Sequence, residues 1–404
     1  MSRLPRFVVL GLSFLVFSYV GLGYVLGQTG GDDDKTYRSL TVYSEVLQRV
    51  QEDYVDEPNL AVVTAGALHG LLESLDPFSG YLSPREYTDY KDKQKTAARG
   101  EIGAALAKRV GFVVVVSVLP GSPADKAGMR GGDLLEAVAG FTTRDMSVAQ
   151  AKVLLDGAPG TTVKVSVVRR GRTEPLPLDV ARAVLASPHA SFEQMGDVAY
   201  VDVPALTTGM AAELRERLQQ FDRQGLHKLV LDLRDTASGP VSEGVAAARL
   251  FLPAGTIAAL SGQTVPRQVF DADPARVVWR HPVEVLISER TLGAAEVLAS
   301  ALGGNQRADL VGGRTFGGAC EQKLIPLEDG SALILSVAYY YTPAGKSILD
   351  EGVQPTVAVR LPIEFDDVDE TSPATQPRRP APSDDPVLRK ALELLKEGAA
   401  PKAA

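Results

Sequence analysis

Residues Leu229–Pro253 read LVLDLRDTASGPVSEGVAAARLFLP, an apolar run that passes through a turn of small residues into helical spacing. A short apolar run bounded by turn residues marks a buried strand, here expected at Lys228–Leu233, with a helix following over Val241–Leu250. The alternation recurs on both sides. Strands are expected at Val198–Val203, Val283–Ser288 and Asp309–Val311, and helices at Ala211–Phe221 and Ala294–Leu302. Strands alternating with helices predict an α/β sheet covered by helices.

A second informative stretch, Ile287–Ile348, reads ISERTLGAAEVLASALGGNQRADLVGGRTFGGACEQKLIPLEDGSALILSVAYYYTPAGKSI. Together the two stretches resemble the carboxyl-terminal processing peptidases, or tail-specific proteases, whose usual patterns are LDLRxNPGG, SASASEI, RAxxVGxxTFGKGxVQ and a TP-x-G turn. The resemblance extends over most of the 404 residues. It implies a serine nucleophile in the middle of SASAS, a lysine base in TFGKG and a glutamine that supports the lysine. On this chain those positions hold Gly293, Gly318 and Gln322. The oxyanion turn implied by NPGG falls on Thr236, Ala237, Ser238 and Gly239, so only its last glycine is kept.

A serine hydroxyl needs a neighbouring base to become a nucleophile, and lysine acts as that base only when burial keeps it neutral. Glycine supplies neither group. Loss of triad-type residues leaves only about 10³–10⁴-fold acceleration over water. Among substitutes, strand alternation predicts that Gly318, Cys320 and Gln322 share one face while Lys323 points to the other. Cys320 is the single cysteine, and none of His69, His189, His227 and His281 lies in a motif that places it beside that thiol. A lone cysteine reads first as a small buried hydrophobe. Thr291 and Ser288 read as packing or capping groups, and Glu296 as a first-turn acid that favours the helix dipole. Glycine at both lost positions predicts a groove roomier than that of an active peptidase.

The resemblance therefore implies a catalytically degenerate member: a pseudopeptidase that binds protein C-termini, scaffolds a partner or adaptor, or regulates an active relative. The competing readings are an active endopeptidase with non-standard residues, through Cys320 or a residue from another subunit, and a decayed copy without a role. No cofactor is expected. One cysteine gives neither an intramolecular disulfide nor a metal motif. A net charge of −8 argues against nucleic acid as partner.

Arg3 and Arg6 precede an uncharged run of 21 residues, Phe7–Gly27, long enough to span a bilayer. The positive flank places the main body outside the cytoplasm, in the periplasm if the cell is bacterial, with a single inner-membrane anchor over residues 1–30. A cleaved signal peptide is the rival reading. Residues 36–96 carry helical spacing, and YVDEPNLAVVTAGALHGLLESLDPFSGYL within them is similar to the family's N-terminal region, with Phe78 where the family's LDPHS has histidine. His69 in that pattern reads as a packed or solvated side chain rather than a ligand.

Residues 97–183 carry GSPADKAGMRGGDLLEAVAG and APGTTVKVSVVRRG, which resemble a PDZ domain. PDZ domains take an extended peptide as an added strand and hold its carboxylate on loop amides. That loop falls on Gly100, Glu101, Ile102, Gly103 and Ala104, and Glu101 would repel a carboxylate if it faced one. The peptidase-like core is expected at 187–362, a Pro- and Asp-rich linker at 363–384, and a closing helix at 385–397. The apolar face of that helix, Val387, Leu388, Leu392 and Leu395, needs a partner surface, and self-association is one way to supply it.

Overall fold

The computed structural model describes residues 31–95, 99–109, 111–144, 146–171, 174–349, 351–360 and 384–397. The apolar run Phe7–Gly27 lies outside them. Among the described residues no helix is long and apolar enough to cross a membrane.

The chain divides into two compact units, Met1–Ala65 and Gly66–Ala404. In the first, the predicted spacing forms helix α1 (Gly31–Asp53) and the start of α2 (Leu60–Glu73). Leu40, Val46 and Val62 on these helices are exposed.

The second unit opens with the remainder of α2, followed by β1 (Gly80–Leu82) and α3 (Pro84–Lys95). There follow β2 (Ala104–Arg109), β3 (Phe112–Val118), α4 (Pro123–Lys126), β4 (Leu134–Val138), β5 (Phe141–Thr142), α5 (Val148–Leu155), β6 (Thr162–Val168) and β7 (Leu176–Ala181). Their strands make one sheet in the order β2-β3-β4-β6-β7, with β5 paired to β4. Alternate residues of β6, Val163, Val165 and Val167, point into a core shared with Val113, Leu135 and Leu155, as period-2 spacing requires. Ser147 and Gln150 cap the start of α5 reciprocally.

The remainder comprises β8 (Ser191–Met195), β9 (Val198–Asp202), α6 (Met210–Arg223), β10 (Lys228–Asp232), α7 (Val241–Ala248), β11 (Thr256–Ser261), β12 (Gln268–Asp271), β13 (Val283–Ile287), α8 (Ala294–Gly304), β14 (Asp309–Gly312), β15 (Cys320–Pro326), β16 (Ala332–Tyr341), β17 (Val357–Ala358) and α9 (Pro386–Lys396). A second sheet runs β17-β14-β13-β10-β9-β8, and its strands from β9 to β17 are parallel neighbours. The third sheet, β1-β16-β11-β12 with β15 on β16, is antiparallel.

One face of the parallel sheet carries α6, α7 and α8 over the largest core, which includes Leu214, Leu231, Val245, Val285 and Leu298. The other face is covered by α9, whose Val387, Leu388, Ala391 and Leu395 pack on Tyr200, Val230, Leu286 and Val311. The helix thus finds a partner surface within its own chain. Burial of each of its large side chains contributes about 1.5–3 kcal/mol. Asp385 accepts from the amides of Val387 and Leu388 at the start of α9 and also pairs with Arg234 at 2.7 Å.

Candidate functional site

The neighbouring parallel strands β10 and β13 end on the same side of the sheet, at their carboxyl ends, and the chain turns there into Leu233–Gly239 and Ser288–Gly293. Thr236, fully buried, donates its hydroxyl to Val203 O, and its own carbonyl accepts the amide of Leu292. Gly239 has φ +121°, and a Cβ there would stand 1.9 Å from Leu206 O. Only glycine fits. This close approach explains why the last position of the turn is the one retained.

Gly293 precedes α8 with φ 65° and ψ −115°, a strained strand-to-helix turn of the kind that lifts a nucleophile clear of the sheet. A Cβ added here would meet nothing within 4 Å. Thr291 and Ser288 tie the turn to the loop after β10 rather than cap α8: Thr291 Oγ1 donates to Leu233 O and accepts the Ser288 amide, and Ser288 Oγ donates to Arg234 O. Neither hydroxyl is spare for chemistry.

Glu296 does more than oppose a helix dipole. Its Oε2 accepts the amides of Gly293 at 2.9 Å and Gly318 at 2.8 Å, while Oε1 accepts the Gly317 amide at 2.6 Å and the Thr315 hydroxyl. One carboxylate therefore joins the two glycine positions. Complete burial pushes the Glu296 carboxyl above the usual glutamate range, and the four donors oppose that shift without cancelling it.

The structure corrects the expected room at Gly318. A Cβ there would stand 2.2 Å from Leu292 Cδ1 and 2.6 Å from Phe78 Cζ, so the direction a lysine would take is already filled. Phe78 occupies the histidine position of LDPHS and Leu292 an alanine position of SASAS. Phe78 stacks edge-on against Phe316 at 6.3 Å, and both join Leu292 in an apolar cluster with Ala107 of β2 and Val116 of β3. Gln322 does not stand by an empty site either. Its Nε2 donates to the backbone carbonyl of Phe78 at 2.8 Å, holding the chain that carries the filling side chain.

The β15–β16 register pairs Cys320 with Tyr339, Gln322 with Ser336 and Lys323 with Leu335, with the irregularity falling on β16 at Val337. Cys320 and Gln322 therefore share a face and Lys323 points to the other, as alternation predicts. Cys320 accepts a hydrogen bond from Ser336 Oγ at 3.6 Å, and burial pushes its thiol up to about 11. At pH 8 such a thiol is ionised only about one part in a thousand. Alkylation by iodoacetamide at pH 8, followed by mass spectrometry, is expected to run at least about a hundredfold slower in the folded protein than in urea.

Two clefts flank this apolar cluster. One of 530 Å³ is lined by Glu73, Asp76, Lys108, Arg109, Arg314 and Gly317, and the other, of 420 Å³, by Arg109, Arg130, Arg169, Arg170, Glu289 and Arg290. Phe316 borders both, with the Arg109 guanidinium over its ring at 4.8 Å.

In the sheet that contains β2, the expected carboxylate loop is partly engaged already. Gly100 N donates to Gly157 O and Glu101 N to Ala183 O, both at 2.8 Å, and the Ile102 side chain is buried in the core. Gly103, at φ +83°, lets the chain pass Ser122, and Ala104 begins β2 opposite Val118. His69, half-buried, packs edge-on against Tyr81.

The layering and the strand-to-helix turn define an α/β peptidase core joined to a PDZ domain. A profile of Peptidase family S41 matches residues 197–359, and one of the PDZ domain matches residues 114–169. A carboxyl-terminal-processing protease of Synechocystis sp. is 30% identical over 99% of this chain and 95% of its own length. A carboxy-terminal-processing protease of Bartonella bacilliformis is 28% identical over 90% of this chain and 84% of its own. The solved photosystem II D1 C-terminal processing protease superimposes with a TM-score of 0.65 at 26% identity, covering 79% of this chain and 92% of that one. The chain belongs to the carboxyl-terminal processing peptidase family.

Proposed function

We propose that this member of the family is a pseudopeptidase, anchored in the inner membrane of a bacterium with its body in the periplasm, that binds protein C-termini or a partner protein without cutting them. The carrying observation is that the nucleophile and base positions both hold glycine, and that the base's space is filled by Leu292 and Phe78 with Gln322 holding Phe78. Filling of that kind is what a chain without a lysine needs to keep the region packed. Arg3, Arg6 and the run Phe7–Gly27 support the anchor and its orientation.

Binding would use β2, an edge strand of its sheet, as the ladder for an incoming peptide. With the Gly100 and Glu101 amides engaged, the amides of Ile102 and Gly103 would hold the terminal carboxylate. The occupants that fit are protein C-termini, an adaptor or an active relative, and a second copy of the chain is a further partner class.

The test is incubation of the purified protein with an unfolded protein ending in apolar residues, read by mass spectrometry, beside fluorescence anisotropy with a peptide of the same ending. The expected result is saturable binding, weakened when the peptide is amidated, and no fragments. Cleavage by the unmodified chain that is lost in Cys320→Ala would overturn the pseudopeptidase reading.

A further inference from the structure

At the amino ends of β10 and β13, the ends opposite the two glycines, three side chains from two segments of the chain converge. Asp222 lies in the last turn of α6, His227 just before β10 and His281 just before β13. Their ligand atoms lie within 4.8 Å of one another. Asp222 Oδ1 is 2.8 Å from His281 Nε2 and 3.9 Å from His227 Nε2, and the two imidazoles stack with centroids 4.2 Å apart. We infer that Asp222, His227 and His281 form a binding site for a divalent transition-metal ion of the zinc type.

Two imidazole nitrogens and one carboxylate oxygen make a borderline donor set, suited to zinc, cobalt, nickel or copper rather than to magnesium or calcium, which take all-oxygen shells. Tetrahedral zinc, with bonds of about 2.0–2.1 Å, sets its ligand atoms about 3.3 Å apart. The observed spacing brackets that value, and closure requires the two imidazoles, stacked here at an interplanar angle of 21°, to rotate until both ring planes contain the ion. The side chains are 49%, 57% and 34% exposed, which leaves an entry path and room for water to complete the shell.

The backbone holds the three together before any ion arrives. The Leu226 amide closes on Phe221 O and the Gly225 amide on Asp222 O, fixing Asp222 relative to His227 across a helix stop at Gly225, where φ is +77°. The Leu229 amide donates to Pro282 O, joining the entry of β10 to the segment that carries His281. That segment is clamped in turn by Arg307, which donates to the carbonyls of Phe251, Trp279 and His281. Electrostatics points the same way. A carboxylate at the C-terminal end of a helix adds to the negative end of the helix dipole, an arrangement that a bound cation relieves.

The test uses the full, untagged chain after treatment with a chelator, because a histidine tag would supply competing ligands. Calorimetric titration with zinc chloride is expected to give one ion per chain, unaffected by excess magnesium. Cobalt(II) at the same site is expected to give visible d–d bands of a low-symmetry N₂O shell. His227→Ala, His281→Ala and Asp222→Asn should each weaken zinc binding at least about tenfold, while His189→Ala should leave it unchanged. All four positions are at the surface, and circular dichroism checks that the variants stay folded. Absence of saturable zinc binding, or binding that survives any of the three ligand substitutions undiminished, would overturn the site.

Discussion

Glu296→Gln is expected to lower the stability of the α/β core by about 3 kcal/mol, read as a shift in the urea unfolding midpoint. The carboxylate accepts from three amides and one hydroxyl, and it is fully buried. A glutamine keeps one acceptor oxygen and turns an NH₂ group toward donors, so at least one of the Gly293, Gly317 and Gly318 amides loses its partner without gaining water. The sign of the pH dependence follows from the direction of the shift. Because the folded carboxyl binds its proton more tightly than the unfolded one, this group adds stability at low pH, and that part is lost as pH rises from the ordinary 4.5 through the higher folded value. Glu296→Gln should flatten that portion of the stability–pH curve. An unchanged urea midpoint would show that the carboxylate does not hold the two loops together.

Gly318→Lys is expected to destabilise the protein by about 1–3 kcal/mol, because its Cβ alone enters the space of Leu292 and Phe78. Leu292→Ala with Phe78→His, which write back the family's residues, should recover at least half of that loss in the lysine background while costing stability in the parent. The two sets of changes are therefore coupled rather than additive. For the same reason Gly293→Ser with Gly318→Lys should remain silent toward an unfolded substrate, and hydrolysis should rise above that of the parent chain only when Leu292 and Phe78 are changed as well. A serine at Gly293 meets no atom, so its cost is confined to the left-handed backbone. If the lysine variant were as stable as its parent and independent of positions 78 and 292, the filled-site account would fail.

The strands and helices around Leu229–Pro253 were legible because apolar runs and helical spacing there agree with turn residues on either side. The structure places β9, β10, β13 and β14 within a residue or so of their predicted bounds. The lost nucleophile and base were legible as single letters in otherwise preserved patterns. What replaced them was not. Phe78, Leu292 and Gln322 lie far apart in sequence, and no periodicity links an enlarged side chain in one segment to a vacancy in another, so glycine at Gly318 read as empty space. The role of Glu296 was hidden similarly, since a first-turn glutamate has an adequate local reason to be there. Asp222, His227 and His281 form no spaced motif, because the sheet rather than the local chain brings them together.

The pairing of Arg234 with Asp232 and Asp385 has a consequence for how the molecule is made. The arginine closes the strand that leads to the turn, and the two carboxylates that meet it come from its own strand and from the cap of α9. A chain emerging from the ribosome presents β10 long before it presents Asp385, and until then one face of the parallel sheet stays wet and one buried cation stays half-neutralised. Vectorial synthesis therefore leaves this core unfinished until α9 is made: the last helix among the described residues is also the one that seals the sheet.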